Sequence, residues 1–408
     1  MKVAIFEYIS GGGFLDKPID TSILSEGYAM LTSILRDFKE AGHTTITILD
    51  HRIAKFNPPI KADKILTVSS SDGFEKTILK AIEYSDASLI IAPESQGTLF
   101  NLVKMVESLP TILLNSSSEA IRLCSDKGEL YESLRKARIR IPNTKRCRFV
   151  DGLNSAYRVV KDIGLPVVFK PIDGVGCSGL TIVNDYDRVE YAFDRVKSAS
   201  SSEDYLIQEF IHGIPASVSL ICNSKGCKAL TLNLQRIVLH ESPSYMGGMV
   251  PFIHEHGESA LRMSEYVVNL ISGLRGYVGV DLILSPDGPV IMEVNPRLTV
   301  SYVGLRFVGS ENPASLILNS IVNNELPERF NTHGYASFSK VYMKDVNREG
   351  LLRAYSLDGV LAPPFKIRRR GPYCGFILGW GESVANAESS LEEVRKGLID
   401  VMDTKEYP

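Results

Sequence analysis

Apolar residues in the first third of the chain fall into short, β-branched runs separated by stretches with helical spacing. KVAIFEY, TTITILD, KILTV, ASLIIAP and TILLN read as strands, with helices over 23–41, 73–84 and 98–108 between them, the first closed by Gly42. Strands alternating with helices predict a parallel, doubly wound sheet. Helices follow over 126–138, capped by Ser125 or Asp126, and over 152–163. A strand, a glycine-rich turn, a second strand and a charged helix over 186–197 come next, closed by the polar loop SASSSED at 198–204. From there the pattern turns antiparallel: YLIQEFI, ASVSLIC, the turn NSKG, CKALTLNLQRIVL, a helix over 259–274, and two strands within GVDLILSPDGPVIMEVNPR. Residues 334–408 carry two more strands, ASFSKVYM and CGFILGWG, and a helix over 385–402 with Leu391, Val394, Leu398 and Val401 on one face. Two strands and a helix cannot bury a core alone, so this module must pack on the preceding sheet.

The 408 residues, 44% of them hydrophobic, suffice for two or three domains with real cores. A net charge of −3 with interspersed signs gives no basic surface for nucleic acid and no polybasic stripe for a membrane. No apolar run approaches the ~18 residues of a membrane helix, and the first residues hold too short an apolar run for a secretory signal. Cytoplasm is the expected location. The six cysteines show no CxxC pair and no metal-ligand spacing, which points to buried thiols. Cys222 and Cys227 flank NSKG and are expected to face each other across a hairpin, reduced in such a compartment.

VVFKPIDGVGCSGLTIV, residues 167–183, carries the first chemical signal. Phosphate loops place a lysine after their glycines, at the start of a helix, and dinucleotide fingerprints also open a helix. Here Lys170 ends a strand, and Gly174, Gly176 and Gly179 lead into another strand. That order suits a nucleotide held between two sheets, with backbone N–H groups of the loop, Ser178 included, turned to the distal phosphates. Lys127, opening a helix, can converge with Lys170 on the phosphates as a second point charge. QEFI, with Gln208, Glu209, Phe210 and Ile211, can offer backbone groups to an adenine edge and an apolar wall.

GVDLILSPDGPVIMEVNPR is the most specific stretch. Its hairpin turn at 285–288 sets Asp281 opposite or near Glu293, and Asn295 shares the face of Glu293 by the period of two. Two carboxylates and an amide oxygen are hard ligands suited to Mg²⁺ on nucleotide phosphates. Arg297, on that same face, can hold a carboxylate or a phosphoryl oxyanion.

Together these segments resemble the ATP-grasp superfamily across nearly the whole chain. The resemblance implies a mixed α/β and α+β fold. It places a Rossmann-like domain at 1–118, two ATP-binding subdomains at 119–204 and 205–333, and a small C-terminal α/β module at 334–408. It further implies an ATP-dependent carboxylate–amine ligase that passes through an acyl phosphate and releases ADP and phosphate, with ATP and Mg²⁺ or Mn²⁺ as cofactors. Lys127 and Lys170 become phosphate ligands, GVGCSG the lid loop, QEFI the hinge, Asp281, Glu293 and Asn295 the metal set, and Arg297, with Lys170, the catalytic pair. Relatives often carry an acidic residue after the hinge glycine for the ribose, whereas this chain reads HGIPASVS. FEYISGGGF, SEGYAML, TILDHR and NPRLTVSYVGLR are similar to the tyramine–glutamate ligases of methanofuran biosynthesis, which makes glutamate the first candidate acid and an amine its partner; a homodimer is open to it. A phosphotransferase or a non-catalytic ATP-binding regulator would share much of the apparatus, although the intact metal set argues against the regulator.

Other features carry two readings each. Ser10, Gly11, Gly12 and Gly13 lie at the end of the first strand, where they either line a substrate pocket or form a tight turn needing positive φ. Cys177 is a lid residue or a nucleophile, His254 and His256 a solvated loop or a metal clip. Lys366 with Arg368, Arg369 and Arg370 is a solvated face or a phosphate site. SYMGGMVPF is a connecting loop or a flap over the acceptor site.

Overall fold

Five parallel strands open the fold: β1 (Lys2–Glu7), β2 (Thr44–Asp50), β3 (Lys64–Val68), β4 (Ala87–Ile91) and β5 (Ile112–Leu113), in the order β3-β2-β1-β4-β5. Helices α1 (Thr21–Glu40), α2 (His51–Ala54), α3 (Ser71–Glu83) and α4 (Thr98–Glu107) connect them. The order reverses between β1 and β4, and sheets of this kind bind ligands outside the strand ends at such a reversal. The computed structural model describes residues 1–172, 174, 179–240, 243–404 and 406.

Helices α5 (Ser118–Ser125) and α6 (Lys127–Lys136) follow, α6 with Asp126 as its N-cap, accepting from the Glu129 amide at 3.0 Å. A four-stranded antiparallel sheet, β6-β9-β7-β8, comes from β6 (Thr144–Arg148), β7 (Val167–Pro171), β8 (Thr181–Val183) and β9 (Asp204–Glu209), backed by α7 (Leu153–Ile163) and α8 (Val189–Ala199). Strand β6 corrects the expectation of a plain connection before 152. Because β9 pairs with β6 and β7, this sheet runs past residue 204 to Glu209.

The remaining strands build one eight-stranded antiparallel sheet. These are β10 (Ile214–Cys222), β11 (Cys227–Val238), β12 (Ser244–Val250), β13 (Gly276–Ser285), β14 (Gly288–Asn295), β15 (Tyr335–Met343), β16 (Val360–Ala362) and β17 (Tyr373–Gly381), in the order β14-β13-β10-β11-β12-β15-β17-β16. Helices α9 (Gly257–Asn269), α10 (Tyr302–Val308), α11 (Pro313–Val322), α12 (Arg348–Ala354) and α13 (Val384–Met402) complete the chain. The C-terminal strands therefore join the sheet that carries Asp281 and Glu293 edge to edge through β12 and β15. SYMGGMV is that joining strand, neither loop nor flap: a Cβ at Gly247 would come 2.1 Å from the Phe338 carbonyl oxygen.

Helix α1 is buried on more than one face because it lies between the two large sheets. It packs on β1 and β2 on one side and on β16 and β17 on the other, with Tyr28 edge-on to Phe365 at 5.0 Å. Arg306 of α10 pairs with the buried Asp37 and with Glu40 of α1, and Tyr302 donates to Asp37 at 2.6 Å. On the far face of the eight-stranded sheet, α5, α6 and α9 cover Val278, Val280, Leu282 and Val218. The near face keeps polar residues and looks toward the strand ends of the parallel sheet.

Candidate active site

Asp281 and Glu293 are register partners across β13 and β14, and Asn295 stands opposite Gly279. Asn295 Nδ2 donates to Asp281 Oδ2 at 3.0 Å, and Gln235 Nε2, from β11, donates to Oδ1 at 2.9 Å. Burial pushes the Asp281 carboxyl up to about 7, with repulsion from Glu293 adding to it against the pull of Asn295, Arg297 and Gln235. Two carboxylates held side by side at such a cost, with a carboxamide oxygen beside them, match the donor set of a divalent cation. Among the described residues no group of three or more His, Cys, Asp or Glu is placed to hold a metal, so a cation here needs Asn295 and the phosphates as further ligands.

Lys127 is the first residue of α6 because Asp126 ends the preceding turn as its cap. Its ammonium pairs with Glu293 Oε1 at 2.8 Å and donates to the Gly174 carbonyl at 2.8 Å, tying Gly174 to β14. Burial works to lower its pKa, but the Glu293 carboxylate outweighs that and holds it up. Lys170, near the end of β7, is 8% exposed and donates to Tyr131 Oη at 2.7 Å; Tyr131 in turn donates to the Met292 carbonyl at 2.6 Å. Burial, with repulsion from Lys127, brings Lys170 down to about 7. The two lysines thus differ: Lys127 is held charged, and Lys170 is poised to take a proton.

Gly179 adopts φ +71°, and a Cβ there would meet Ala199 at 2.6 Å, so the end of the glycine turn requires glycine. Gly176, Cys177 and Ser178 lie outside the described residues. At the hinge, Gln208 is buried and donates to Thr144 Oγ1 at 2.8 Å, while the Glu209 and Phe210 amides donate to the Asn143 and Pro166 carbonyls. The Gln208 side chain and the Glu209 and Phe210 amides are therefore spent within the fold, while no described hydrogen bond engages the Ile211 amide.

Arg297, just past β14, donates through Nε to Glu94 Oε1 at 2.8 Å and through Nη1 to the Leu298 carbonyl at 3.2 Å. Glu94 follows β4 on the parallel sheet, so the contact closes the cleft between sheets. Glu7 ends β1 on the other side of the strand reversal. Its carboxylate accepts from the Ile9 amide at 2.9 Å and from the Ser10 amide and hydroxyl at 2.7 and 2.6 Å. Ser10 is fully buried against Glu7, the Gly11 and Gly13 amides bond back to Glu7 and Tyr8, and Gly12 has φ +104°. The tight-turn reading describes this loop, and the Ser10 hydroxyl supports Glu7 where a pocket lining was the alternative. Glu7, Glu94, Tyr131 and Gln235 were not singled out in the sequence. Tyr131 alone had a signal, four residues after Lys127 on one helix face.

The outlying candidates stay apart. His254 Nδ1 accepts from the His256 amide at 3.1 Å. Lys366 pairs with Asp345 at 2.7 Å, and Arg368 donates to the Ile19 carbonyl at 2.7 Å. Cys222 and Cys227 are register partners and free thiols.

Residues 124–301 match the ATP-grasp domain family, and residues 43–121 match the pre ATP-grasp 3 domain. A tyramine–L-glutamate ligase of Methanocaldococcus jannaschii is 32% identical over 329 residues, covering 79% of this chain and 90% of the relative. An ATP-grasp superfamily protein from Archaeoglobus fulgidus superposes with a TM-score of 0.61 at 25% identity, over 92% of this chain and 99% of that one. Biotin carboxylase from Campylobacter jejuni shares the fold, with a TM-score of 0.73 at 16% identity over 98% and 95% of the two chains. With its two lysines, paired carboxylates and arginine on the matched segments, the chain belongs to the ATP-grasp family, among its ATP-dependent carbon–nitrogen ligases.

Proposed function

We propose that the protein activates a carboxylate, L-glutamate being the first candidate, as an acyl phosphate and passes the acyl group to a primary amine. The observation that carries this reading is the place of Arg297, two residues past Asn295 and bonded across the cleft to Glu94. A guanidinium there can hold a substrate oxyanion beside the γ-phosphate. Lys127 and Lys170, from separate elements, supply the cationic charge for the phosphates. A divalent cation on Asp281, Glu293 and Asn295, Mg²⁺ being the expected one, supplies charge neutralisation at the phosphates. Attack of the carboxylate oxygen on the γ-phosphorus releases ADP; attack of the amine nitrogen on the acyl carbon then expels phosphate and, after loss of a proton, leaves an amide. The tyramine–L-glutamate ligase relative supports glutamate and an aromatic amine as the first pair to try.

The test is isotopic. With an [¹⁸O]carboxylate acid, ATP, Mg²⁺ and amine, one labelled oxygen should appear in inorganic phosphate. Label in AMP would indicate adenylation, and a stable phosphorylated product would indicate a phosphotransferase; either result removes the proposal.

A further inference from the structure

Glu94 holds an oxygen that the fold leaves unanswered. The residue is 4% exposed, its Oε1 accepts from Arg297 Nε, and its Oε2 is buried without a hydrogen-bond partner among the described residues. A buried carboxylate oxygen in that state forfeits a hydrogen bond of the stronger, charge-assisted kind, so a ligand donor at this point gains what the empty fold lacks. Arg297 shows the matching vacancy: Nε and Nη1 are engaged, and Nη2 has no described partner. The monodentate arginine–carboxylate contact therefore leaves the Arg297 Nη2 amino group and Glu94 Oε2 without described partners. Glu94 also lies within electrostatic reach of Lys127. Glu7, across the strand reversal, cannot serve in its stead, because its oxygens already accept from Ile9 and Ser10.

We infer that Arg297 and Glu94 form a zwitterion clamp, in which Arg297 takes a carboxylate oxygen of the substrate and Glu94 Oε2 takes its ammonium, so that the activated acid is an amino acid. This rests on the ligase reading and names its acid substrate by chemistry. The clamp lies at the β1/β4 reversal of the parallel sheet, the position where such sheets bind ligands.

The experiment replaces the acceptor amine by hydroxylamine, whose nitrogen attacks the acyl phosphate, expels phosphate and leaves a hydroxamate. L-Glutamate and glutarate differ only in the α-ammonium. The wild type should favour glutamate in kcat/KM by about tenfold to a hundredfold, the worth of one charge-assisted hydrogen bond. In Glu94→Gln the amide oxygen can still accept from Arg297 Nε, while an NH₂ donor replaces the free oxygen. The preference should fall to about one through the KM for glutamate, with the KM for ATP and the melting temperature little changed. An undiminished preference in the folded variant overturns the clamp. So does an effect confined to the KM of tyramine in the amide-forming assay, which would assign the oxygen to the acceptor. If neither acid yields hydroxamate, the ligase reading falls. Calorimetric binding of glutamate against glutarate to the MgADP-loaded protein then decides the clamp, which stands if the preference depends on Glu94 and falls if it does not.

Discussion

Nucleotide binding should draw a proton onto Lys170. In the free protein its pKa is brought down to about 7 by burial and by Lys127, against an ordinary value of 10.5. Phosphate oxygens arriving at the ammonium remove the cause of that depression, and the pKa returns toward its ordinary range. At pH 8 about a tenth of the free protein carries the proton and nearly all of the complex does, so binding takes up about 0.9 proton; at pH 6 the uptake falls to about 0.1. The sign follows directly: a group whose pKa rises on binding favours the complex most below the free value, so affinity for nucleotide is level below about pH 7 and declines about tenfold per unit above it. Calorimetry with ADP and a chelator, in buffers of different ionisation enthalpy, reads the uptake as a slope. The chelator keeps Asp281 and Glu293 free of metal, so protons lost to a metal ion do not enter the balance. Lys170→Met provides the control and should lower the slope at pH 8, leaving only the part that Asp281, itself at about 7, takes up. A slope near zero in the wild type, or an equal slope in the variant, would rule out proton uptake by Lys170.

Three further outcomes are expected. Glu293→Gln keeps an acceptor for Lys127 but loses the second metal carboxylate, so ADP release should fall about a thousandfold while a thermal melt still shows one cooperative transition. Arg306→Ala leaves the buried Asp37 with Tyr302 alone and should cost about 3 to 5 kcal/mol in urea melts at pH 7.5. Asp37 is pushed up to about 6 by burial, so its ionisation in the fold lowers stability as pH rises from about 4 to about 6; without Arg306 that window extends upward, and the loss should be smaller at pH 4.5 than at pH 7.5. Gly379→Ala puts a Cβ 2.1 Å from the Leu391 amide nitrogen, so α13 must shift, and urea melts should show a loss of about 1 to 3 kcal/mol.

The parts of the site that local chemistry sets were legible in the sequence. The SPDG turn sets the pairs from Ser285–Gly288 to Leu282–Ile291, and the cap at Asp126 puts Lys127 at a helix start; the register shift between Asp281 and Leu282 that brings Asp281 opposite Glu293 had no signal in the sequence. Glu94 was not legible, because its role depends on Arg297, 203 residues away, and the sequence offers no spacing that links them. The glycines of β12 look like a loop until β11 and β15 are seen to approach too closely for side chains. The membership of β9 is likewise a matter of long-range pairing. Helix α10, YVGLRFV, is apolar nearly all round because α1 and the eight-stranded sheet cover it, so it shows no amphipathic period.

The burial of α1 has a consequence for synthesis of the chain. Thr21, at its start, donates to the carbonyl of Pro372, 351 residues further on, and its outer face packs on β16 and β17. At about 5 to 20 residues per second, a ribosome needs roughly 20 to 70 seconds to deliver those partners. During that interval the parallel sheet can form, but one apolar side of α1 has nothing to cover it. That side of α1 is covered only once β16 and β17 have emerged and docked.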